Sequence, residues 1–254
     1  MSLRPKQQNP FDIKIISADG TFLGVMEFAS VKQLCKHLRH NDLPDGQVFC
    51  LAGLDLRGGY LRNARLAGAN LTDCHLEGVC LSGANLAGAI LDGANLNGCS
   101  LKAASLRGAS LRGTKLVAAG MWWADLEVAN LEGADLRHVN MNGASVEGAN
   151  LAGADLGAGA LAWVDFEGAN LEGASLRKAY LRAAYFRRAD LRGADVSGAC
   201  LDGADFRTAY LEGMRVDEAD LSGVHVISQQ MRGTVGKPAK APPILAEQVE
   251  QATS

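Results

Sequence analysis

One apolar position recurs every five residues through most of the chain. It begins at Leu51 and continues to Val226 without an insertion, which gives 36 positions, 27 of them leucine. The other nine are also apolar: Met121, Met141, Val146, Phe166, Phe186, Val196, Phe206, Val216 and Val226. We call this recurring apolar position the centre. Two residues before the centre, 24 of the 36 residues are alanine, and two residues after it 21 are glycine. Most of the chain is therefore one short unit repeated many times.

Neither a helix nor a flat strand accommodates a period of five. In a helix, steps of five would turn each leucine by ~140° from the last, and each recurrent glycine would cost roughly 1 kcal/mol. In a strand the side chains alternate with period two, and five is odd. An extended piece followed by a turn does fit, because alanine and leucine two residues apart then point to the same side and the turn resets the register.

If each unit forms one side of a square, four units close one coil of twenty residues. Similar side chains recur at this spacing and would stack on one wall: Phe166, Phe186 and Phe206; Met121 and Met141; Val196 and Val216; Asn130, Asn150 and Asn170. The unit, as in Ala84-Asn85-Leu86-Ala87-Gly88, resembles that of the pentapeptide repeat family over residues 49–228. The resemblance implies an all-β solenoid, a right-handed quadrilateral β-helix of about nine coils and roughly 40 Å in length, with the centre and the small residue pointing inward.

The segments outside the repeat predict different structures at the two ends. In residues 1–48, strands at 11–17 and 21–28 would form a hairpin around Ala18-Asp19-Gly20, followed by a helix at 30–40 capped by Ser30. The end of a solenoid is an open strand edge, so we expect this hairpin and helix to be an N-terminal cap rather than a separate binding module. Residues 229–254 carry prolines and few large apolar side chains, which predicts a flexible C-terminal tail.

Composition limits the class of protein. The chain has 254 residues, a mass of 26.7 kDa and a net charge of −3, which argues against attachment to nucleic acid through a broad basic surface. No apolar run approaches the ~18 residues that indicate a membrane span. The first residues, MSLRPKQQNPFD, lack an apolar signal segment. We therefore expect a cytoplasmic protein that binds neither membranes nor nucleic acid directly.

The reactive side chains show no arrangement typical of a catalytic, metal or cofactor site. The six cysteines have no disulfide or metal spacing, which fits free thiols in a reducing compartment. Cys35, His37 and His40 are close in sequence, but their offsets place them on different faces of the predicted helix. The sequence contains no phosphate-binding loop and no Ser/His/Asp set. Left-handed β-helix acyltransferases are excluded as well, because they repeat every six residues and this chain repeats every five. We predict a protein that is not an enzyme and uses no cofactor.

All three tryptophans fall on one wall of the predicted coil. Trp122, Trp123 and Trp163 lie at outward positions of this wall, and Tyr180 follows one coil later. A cluster of exposed aromatic side chains is typical of a protein contact site. The alternative is that Trp123 and Trp163 merely replace glycine at corners and pack over neighbouring coils.

The adjoining wall carries acidic side chains in three consecutive coils: Asp125, Glu127, Glu147, Asp165 and Glu167. A basic band follows within residues 177–192: Arg177, Lys178, Arg182, Arg187, Arg188 and Arg192. Charge blocks are usually solvated surface. Because these border the tryptophans, the acidic residues are included with Trp122, Trp123, Trp163 and Tyr180 in the predicted protein-interaction site.

Two functions are predicted from these features. The first is a non-enzymatic scaffold for protein–protein interaction, whose wall of tryptophans binds a protein partner or a second copy as a homodimer. The second follows from the family resemblance alone, since some pentapeptide repeat proteins imitate duplex DNA and bind type II topoisomerases such as DNA gyrase, giving quinolone protection or gyrase inhibition. An acidic patch confined to the middle of the rod and followed by arginines matches duplex DNA weakly. A catalytic N-terminal segment is a third reading, but that segment is short and poor in polar clusters.

Overall fold

The computed structural model describes residues 12–17, 20–40, 42–226 and 230–240. Its elements in chain order are β1 (Asp12–Ser17), β2 (Phe22–Glu27), α1 (Val31–His40), β3 (Gln47–Cys50) and a 3₁₀ helix at Gln230–Gly233. Between β3 and the 3₁₀ helix, the chain forms a solenoid held by short parallel bridges.

The solenoid repeats every twenty residues, as the sequence predicts. From Cys50 to Asp205, each residue that precedes a centre position forms a parallel bridge with the residue twenty positions later, as Asn130 does with Asn150. The N–H of Leu131 donates to the carbonyl of Asn150 at 2.7 Å, while the N–H of Asn130 donates to Ala109 of the preceding coil at 2.9 Å. Each coil is therefore hydrogen-bonded to both of its neighbours, which stabilises the rod along its length.

Each five-residue unit turns a corner through a β-turn. The N–H of Ala134 donates to the carbonyl of Leu131 at 3.0 Å, and Gly133 within this turn has a φ of 64°. A positive φ favours glycine, which explains why glycine recurs at this position. The side chain before the centre supports the same turn, because Oδ1 of Asn130 accepts a hydrogen bond from the N–H of Glu132 at 3.1 Å.

The core is a stack of the centre residues and of the small residues two positions earlier. All 36 centre residues from Leu51 to Val226 are buried, which confirms their inward assignment. The ring of Phe186 stacks between those of Phe166 and Phe206, with centroid distances of 4.8 and 4.6 Å. Alanine two residues before the centre keeps the coil narrow enough for these ladders to touch.

The N-terminal elements form a small sheet and one helix. The sheet has the order β2-β1-β3, and both pairs of strands are antiparallel. The predicted hairpin is therefore confirmed for β1 and β2, while Phe11, Ala18 and Asp19 lie outside the described residues. Ser30 caps α1 as predicted, because its Oγ accepts from the N–H of Gln33 at 3.2 Å.

The sheet and helix continue directly into the first coil. Cys50, the last residue of β3, forms a parallel bridge with Asn70 of the solenoid. From α1, the carbonyl of Leu38 accepts a hydrogen bond from the N–H of Arg65 at 2.6 Å. Leu34, Cys35 and Leu38 are buried and belong to the same hydrophobic cluster as the solenoid.

Residues 230–240 differ from the flexible tail that the sequence predicts. They continue the solenoid, since Val235 bridges Arg215 and Lys240 bridges Asp220. Met231 is five residues beyond the last centre, Val226, and is buried. The physical reason is that the last regular coil exposes unpaired backbone groups, and this segment satisfies them, as when the N–H of Val216 donates to Val235 at 2.9 Å. The rest of the predicted tail, residues 241–254, lies outside the described residues.

Candidate protein-interaction face

The tryptophan face is the surface that Trp122, Trp123 and Trp163 form on one wall of the solenoid. Trp123 and Trp163 are 63% and 59% exposed. A shallow pocket of about 500 Å³ lies here, lined by Trp122, Trp123, Asn140, Asn142, Gly143 and Trp163. Aromatic walls with a few polar groups between them are typical of binding pockets.

Trp123 and Trp163 occupy turn positions at which most units have glycine. Their φ angles are 59° and 57°, in the left-handed region. For a bulky side chain this backbone costs about 1–2 kcal/mol, whereas glycine adopts it freely. Burial offsets little of that cost, because both indoles are more than half exposed. Two large apolar side chains are thus retained where the stability of the rod favours glycine.

Two glycines make room for the neighbouring indoles. A Cβ on Gly143 would lie 2.7 Å from Cδ1 of Trp123, and a Cβ on Gly120 would lie 2.4 Å from Cζ3 of Trp122. Real Cβ atoms do not approach other atoms so closely, so any side chain at either position would displace the ring. The orientation of both indoles therefore depends on these two glycines.

Lys102 packs against the N-terminal side of the tryptophan face. Its Nζ lies 5.6 Å from the ring centroid of Trp122 and 5.3 Å from that of Trp123. These distances are within the range of cation–π attraction. Lys102 is not among the residues that the sequence predicts for the site, but it precedes Trp122 by one coil, and the twenty-residue period would have placed it there.

Two asparagines form the polar part of the pocket. Oδ1 of Asn140 accepts from the N–H of Asn142 at 3.2 Å, and Oδ1 of Asn142 accepts from the N–H of Ala162 at 2.9 Å. Because the backbone engages both carboxamide oxygens, the NH₂ groups are the polar atoms that these side chains retain for a ligand. The pocket thus combines apolar ring faces with two hydrogen-bond donors.

Tyr180 lies on the same wall, one coil beyond Trp163, and is 63% exposed. It bridges Ala160 through the backbone, so its position in the ladder is the predicted one. It is absent from the lining of the pocket. Tyr180 therefore extends the aromatic surface toward the C-terminal side without forming the pocket itself.

The predicted acidic residues lie on the neighbouring wall rather than in the pocket. Asp125 and Asp165 accept hydrogen bonds from the N–H groups of Glu127 and Glu167, at 3.1 and 2.9 Å. Arginines also pair with the two glutamates: Arg107 forms an ion pair with Glu127, and Arg188 lies 2.5 Å from Glu167. The remaining member of the set, Glu147, is exposed at the same outward position. Much of the negative charge on this wall is thus balanced locally.

The cysteines are buried or half-buried thiols. Cys74 occupies the small inward position, and its Sγ donates to the carbonyl of Leu51 at 2.9 Å. Burial raises the pKa of the Cys74 thiol to about 11 and that of Cys99 to about 12. Among the described residues, His, Cys, Asp and Glu side chains form no group of three suited to a metal ion. In the same part of the chain, no helix has the length and apolar character needed to cross a bilayer.

The model of the pentapeptide repeat family matches the chain in eight copies. The matched residues are 50–86, 80–116, 122–158, 160–198, 169–207 and 184–223, which together cover more than half of the chain. The chain belongs to the pentapeptide repeat family. No curated protein matches it in sequence.

Two solved structures show how this pentapeptide repeat protein compares with others of its fold. HetL, a pentapeptide repeat protein involved in heterocyst differentiation regulation from the cyanobacterium Nostoc sp. strain PCC 7120, is 30% identical with a TM-score of 0.63, over 83% of this chain and 92% of HetL. Trypsin-treated QnrB1, a plasmid-mediated fluoroquinolone resistance protein, is 21% identical with a TM-score of 0.54, over 78% of this chain and 96% of QnrB1. The fold is therefore the right-handed β-helix of pentapeptide repeat proteins.

Proposed function

We propose that this pentapeptide repeat protein is a non-enzymatic scaffold whose tryptophan face binds a protein partner or a second copy of the chain. The observation that carries the proposal is the exposure of Trp123 and Trp163 together on one wall of the rod. A positive φ is not specific to them, because other non-glycine residues of the repeat, such as Val128 and Lys178, adopt it as well. Exposed tryptophans are also the side chains that contribute most to protein interfaces.

The rest of the rod supports a binding role. Its coils are hydrogen-bonded to one another along the whole ladder, so the face is held rigidly and loses little entropy when a partner binds. HetL, a similar pentapeptide repeat protein, is involved in the regulation of heterocyst differentiation, which fits a binding role for this chain. A cytoplasmic location, inferred from the free cysteines, is part of the same proposal.

The proposal is tested with a variant that removes the two exposed indoles and preserves the fold of the solenoid. In Trp123→Gly/Trp163→Gly, both turn positions receive the residue that their backbone favours, so the thermal midpoint should stay the same or rise. The matched control is Val128→Gly on the neighbouring wall, where an exposed apolar side chain also has a positive φ, of 52°. Affinity capture from host lysate and gel filtration are then compared for the wild type, the double variant and the control.

A partner or dimer that is lost in the double variant and kept in Val128→Gly is the expected result. Equal binding by all three proteins would reject the tryptophan face as the binding surface. Because the double variant keeps its fold, a loss of binding cannot be attributed to unfolding, which the thermal midpoint checks independently.

The alternative, a DNA-mimicking protein that binds a type II topoisomerase such as DNA gyrase, has weaker support. Imitating duplex DNA requires an extended run of negative charge, but the acidic wall is interrupted by the arginine pairs of Glu127 and Glu167. A supercoiling assay with micromolar protein, with and without a quinolone, decides this alternative. Unchanged gyrase activity and unchanged quinolone poisoning would exclude it.

The N-terminal sheet and helix are proposed to act as a cap. The carbonyls of Phe49 and Leu38 accept hydrogen bonds from the N–H groups of Asn70 and Arg65 in the first coil, which occupies backbone groups that would otherwise be open to another strand. Their role in this proposal is to keep the rod from pairing end to end, which leaves the tryptophan face as the surface for specific association.

A further inference from the structure

The wall that carries the tryptophan face continues toward the N-terminus as two further depressions. One, of about 230 Å³, is lined by Arg62, Asn63, Ser82, Gly83, Lys102 and Ala103. The other, of about 330 Å³, is lined by Arg39, His40, Tyr60, Arg62 and Asn63. Arg62 belongs to both, and Nζ of Lys102 lies within cation–π distance of Trp122 and Trp123. The two depressions, which we call the basic segment, therefore join the pocket of the tryptophan face in one continuous surface.

Among the described residues, the arginines and the lysine of the basic segment have no carboxylate partner. Between residues 51 and 226, every arginine forms an ion pair with an aspartate or a glutamate except Arg62. In the same way, none of the described carboxylates forms an ion pair with Lys102 or Arg39. The outward positions of this wall between residues 60 and 183 also carry no acidic side chain. The charge of these three cations is therefore left for a ligand, whereas the other arginines of the rod are paired within the chain.

Helix α1 supplies Arg39 to this surface. Cζ of Arg39 lies 5.2 Å from the ring centroid of Tyr60, which is the first outward aromatic residue of the wall. Its Nε donates to the carbonyl of Cys35 at 3.3 Å, which holds the side chain along the helix. The other N–H groups of the guanidinium are donors that suit a carboxylate. The N-terminal elements therefore add a cation that the repeat itself does not provide, in addition to their proposed role as a cap.

Positive charge and aromatic surface occupy different stretches of this wall. Arg62 and Lys102 are two coils apart, or about 10 Å, and Trp163 lies three coils further, or about 14 Å. Between Lys102 and Arg182 the outward positions of the wall carry no cation. The whole distance from Arg62 to Trp163 is about 24 Å, which is the length of about seven residues of extended chain. A ligand that fits this surface carries negative charge at one end and apolar side chains at the other.

We propose that this surface binds an extended acidic segment of a protein partner. Carboxylates of the segment pair with Arg39, Arg62 and Lys102, while the apolar side chains that follow them enter the pocket between Trp123 and Trp163. The inference rests on the proposed function, in which the tryptophan face is the binding surface, and it names the chemistry of the partner. The aromatic pocket supplies apolar contact area, and the unpaired cations select for acidic partners.

Two other occupants suit the surface less well. A second copy that used the same wall would offer only Asp202 and Asp220, which already pair with Arg182 at 3.4 Å and with Lys240 at 2.7 Å. A single-stranded nucleic acid has a phosphate at every nucleotide, and proteins that bind it combine cations with the aromatic side chains on which the bases stack. Here no cation lies between the two exposed indoles. A protein segment, by contrast, can carry its charges apart from its apolar side chains.

Tryptophan fluorescence measures the binding directly, because the three tryptophans of the chain all lie on this wall. The probes are two synthetic octapeptides blocked at both ends. One has four glutamates followed by leucine, glycine, leucine and glycine, and the other has the same residues in reverse order, so that both chain directions are tested. We expect a saturable blue shift with at least one of them, and about tenfold weaker binding when glutamine replaces glutamate. The absence of saturable binding by either peptide, or equal affinity for the glutamate and glutamine forms, would overturn the proposal.

Charge reversal tests which cations bind the peptide. Because Arg62 and Lys102 are exposed, Arg62→Glu/Lys102→Glu should keep the thermal midpoint of the wild type and weaken binding about tenfold. Peptides with lysine in place of glutamate should bind this variant more tightly than the wild type. Arg62→Glu alone, which keeps the contact of Lys102 with the indoles, should give part of the loss. The matched control is Lys115→Glu/Lys178→Glu, which changes the net charge equally at exposed positions of another wall, and an equal loss in that control would contradict the assignment.

Competition, self-association and partner capture separate the remaining outcomes. An oligothymidylate of the same length that binds as tightly as the peptides, and loses affinity in Arg62→Glu/Lys102→Glu, would assign the surface to single-stranded nucleic acid and overturn the proposal. Self-association of the wild type that this variant abolishes would assign the surface to a second copy, with the same consequence. Partner capture is then compared between this variant and Trp123→Gly/Trp163→Gly. If only the tryptophan variant loses the partner, the proposed function stands and this inference fails, and if neither loses it, both fail.

Discussion

The indole of Trp123 lies over the backbone of Gly143 in the next coil, so closely that a Cβ at residue 143 would be 2.7 Å from Cδ1 and 2.9 Å from Nε1 of the ring. The glycine therefore does two things at once. Its φ of 67° suits the turn, and its lack of a side chain creates the surface on which the indole rests. The shape of the pocket depends on this pair of residues.

Gly143→Ala should displace the indole of Trp123. We expect a change in tryptophan emission together with a loss of stability of about 1–2 kcal/mol from the left-handed backbone. Gly133→Ala is the matched control, since its φ is 64° but a Cβ there would meet no atom within 4 Å. Fluorescence spectra and thermal melts of the two variants separate the effects. An emission change of equal size in both would contradict the contact.

Leu131→Ala tests the inward assignment of the centre position. Leu131 is fully buried in the middle of the rod, and removing such a side chain leaves a cavity that costs about 2–5 kcal/mol. Urea unfolding followed by circular dichroism should show a clearly lower midpoint. Glu132→Ala, at the exposed neighbouring residue, should stay within about 0.5 kcal/mol of the wild type. Similar midpoints for both variants would argue against the burial of the leucine ladder.

The repeat itself accounts for how much of the fold the sequence predicts. The period of five and the recurrence of similar side chains every twenty residues predict the buried position of Leu131 and the stacking of Phe166 on Phe186. The square section and the handedness of the coil follow from the family resemblance. The pattern does not extend the repeat to Met231, because the next residue at the same spacing is Gly236 and one apolar residue alone does not establish the register. Burial of Met231 depends on open backbone groups in the preceding coil, a property of the folded edge.

The candidate site is predictable only in outline. The twenty-residue period places Trp122, Trp123 and Trp163 on one wall, but it does not give the direction of an exposed side chain. The indole of Trp123 turns toward Gly143, and Lys102 packs on the opposite side, because of the space that small neighbouring residues leave. Such choices depend on atomic contacts between coils, which a pattern of residue types does not contain.

Gly59→Val tests how closely α1 is seated on the first coil. A Cβ at residue 59 would lie 2.9 Å from Sγ of Cys35 and 2.8 Å from the carbonyl oxygen of Leu56. A side chain there must push the helix away, which should cost about 1–3 kcal/mol and make the N-terminal segment more sensitive to proteolysis. Gly24→Val in β2, where a Cβ would meet nothing within 4 Å, is the control. Equal resistance of both variants to limited proteolysis would show that the helix is not seated there.

Asp205 links the stability of the rod to pH. Its carboxylate is nearly buried and accepts hydrogen bonds from Nε of Arg187 at 2.7 Å and from the guanidinium of Arg207 at 2.9 and 2.7 Å. The hydrogen bonds from Arg207, aided by those from Arg187, hold the pKa of this carboxyl well below its usual range, although partial burial opposes them. A lowered pKa in the folded state means that ionised Asp205 stabilises the rod above the unfolded pKa, and that this contribution is lost as the pH falls from about 4 toward the folded pKa.

Asp205→Asn removes the charge but keeps an oxygen that can accept from the N–H of Arg207, as Oδ1 of Asp205 does at 3.1 Å. At neutral pH we expect a loss of about 1.5–3 kcal/mol, the range for hydrogen bonds to a charged group. Urea unfolding at neutral pH and in steps below about pH 4 should show the difference from the wild type shrinking as the wild-type carboxylate takes up a proton. Asp155→Asn is the control, because the side chain of Asp155 is far more accessible than that of Asp205 and its nearest arginine nitrogen is 3.9 Å away. A difference between Asp205→Asn and the wild type that does not change with pH would show that packing, rather than the charge, accounts for the effect.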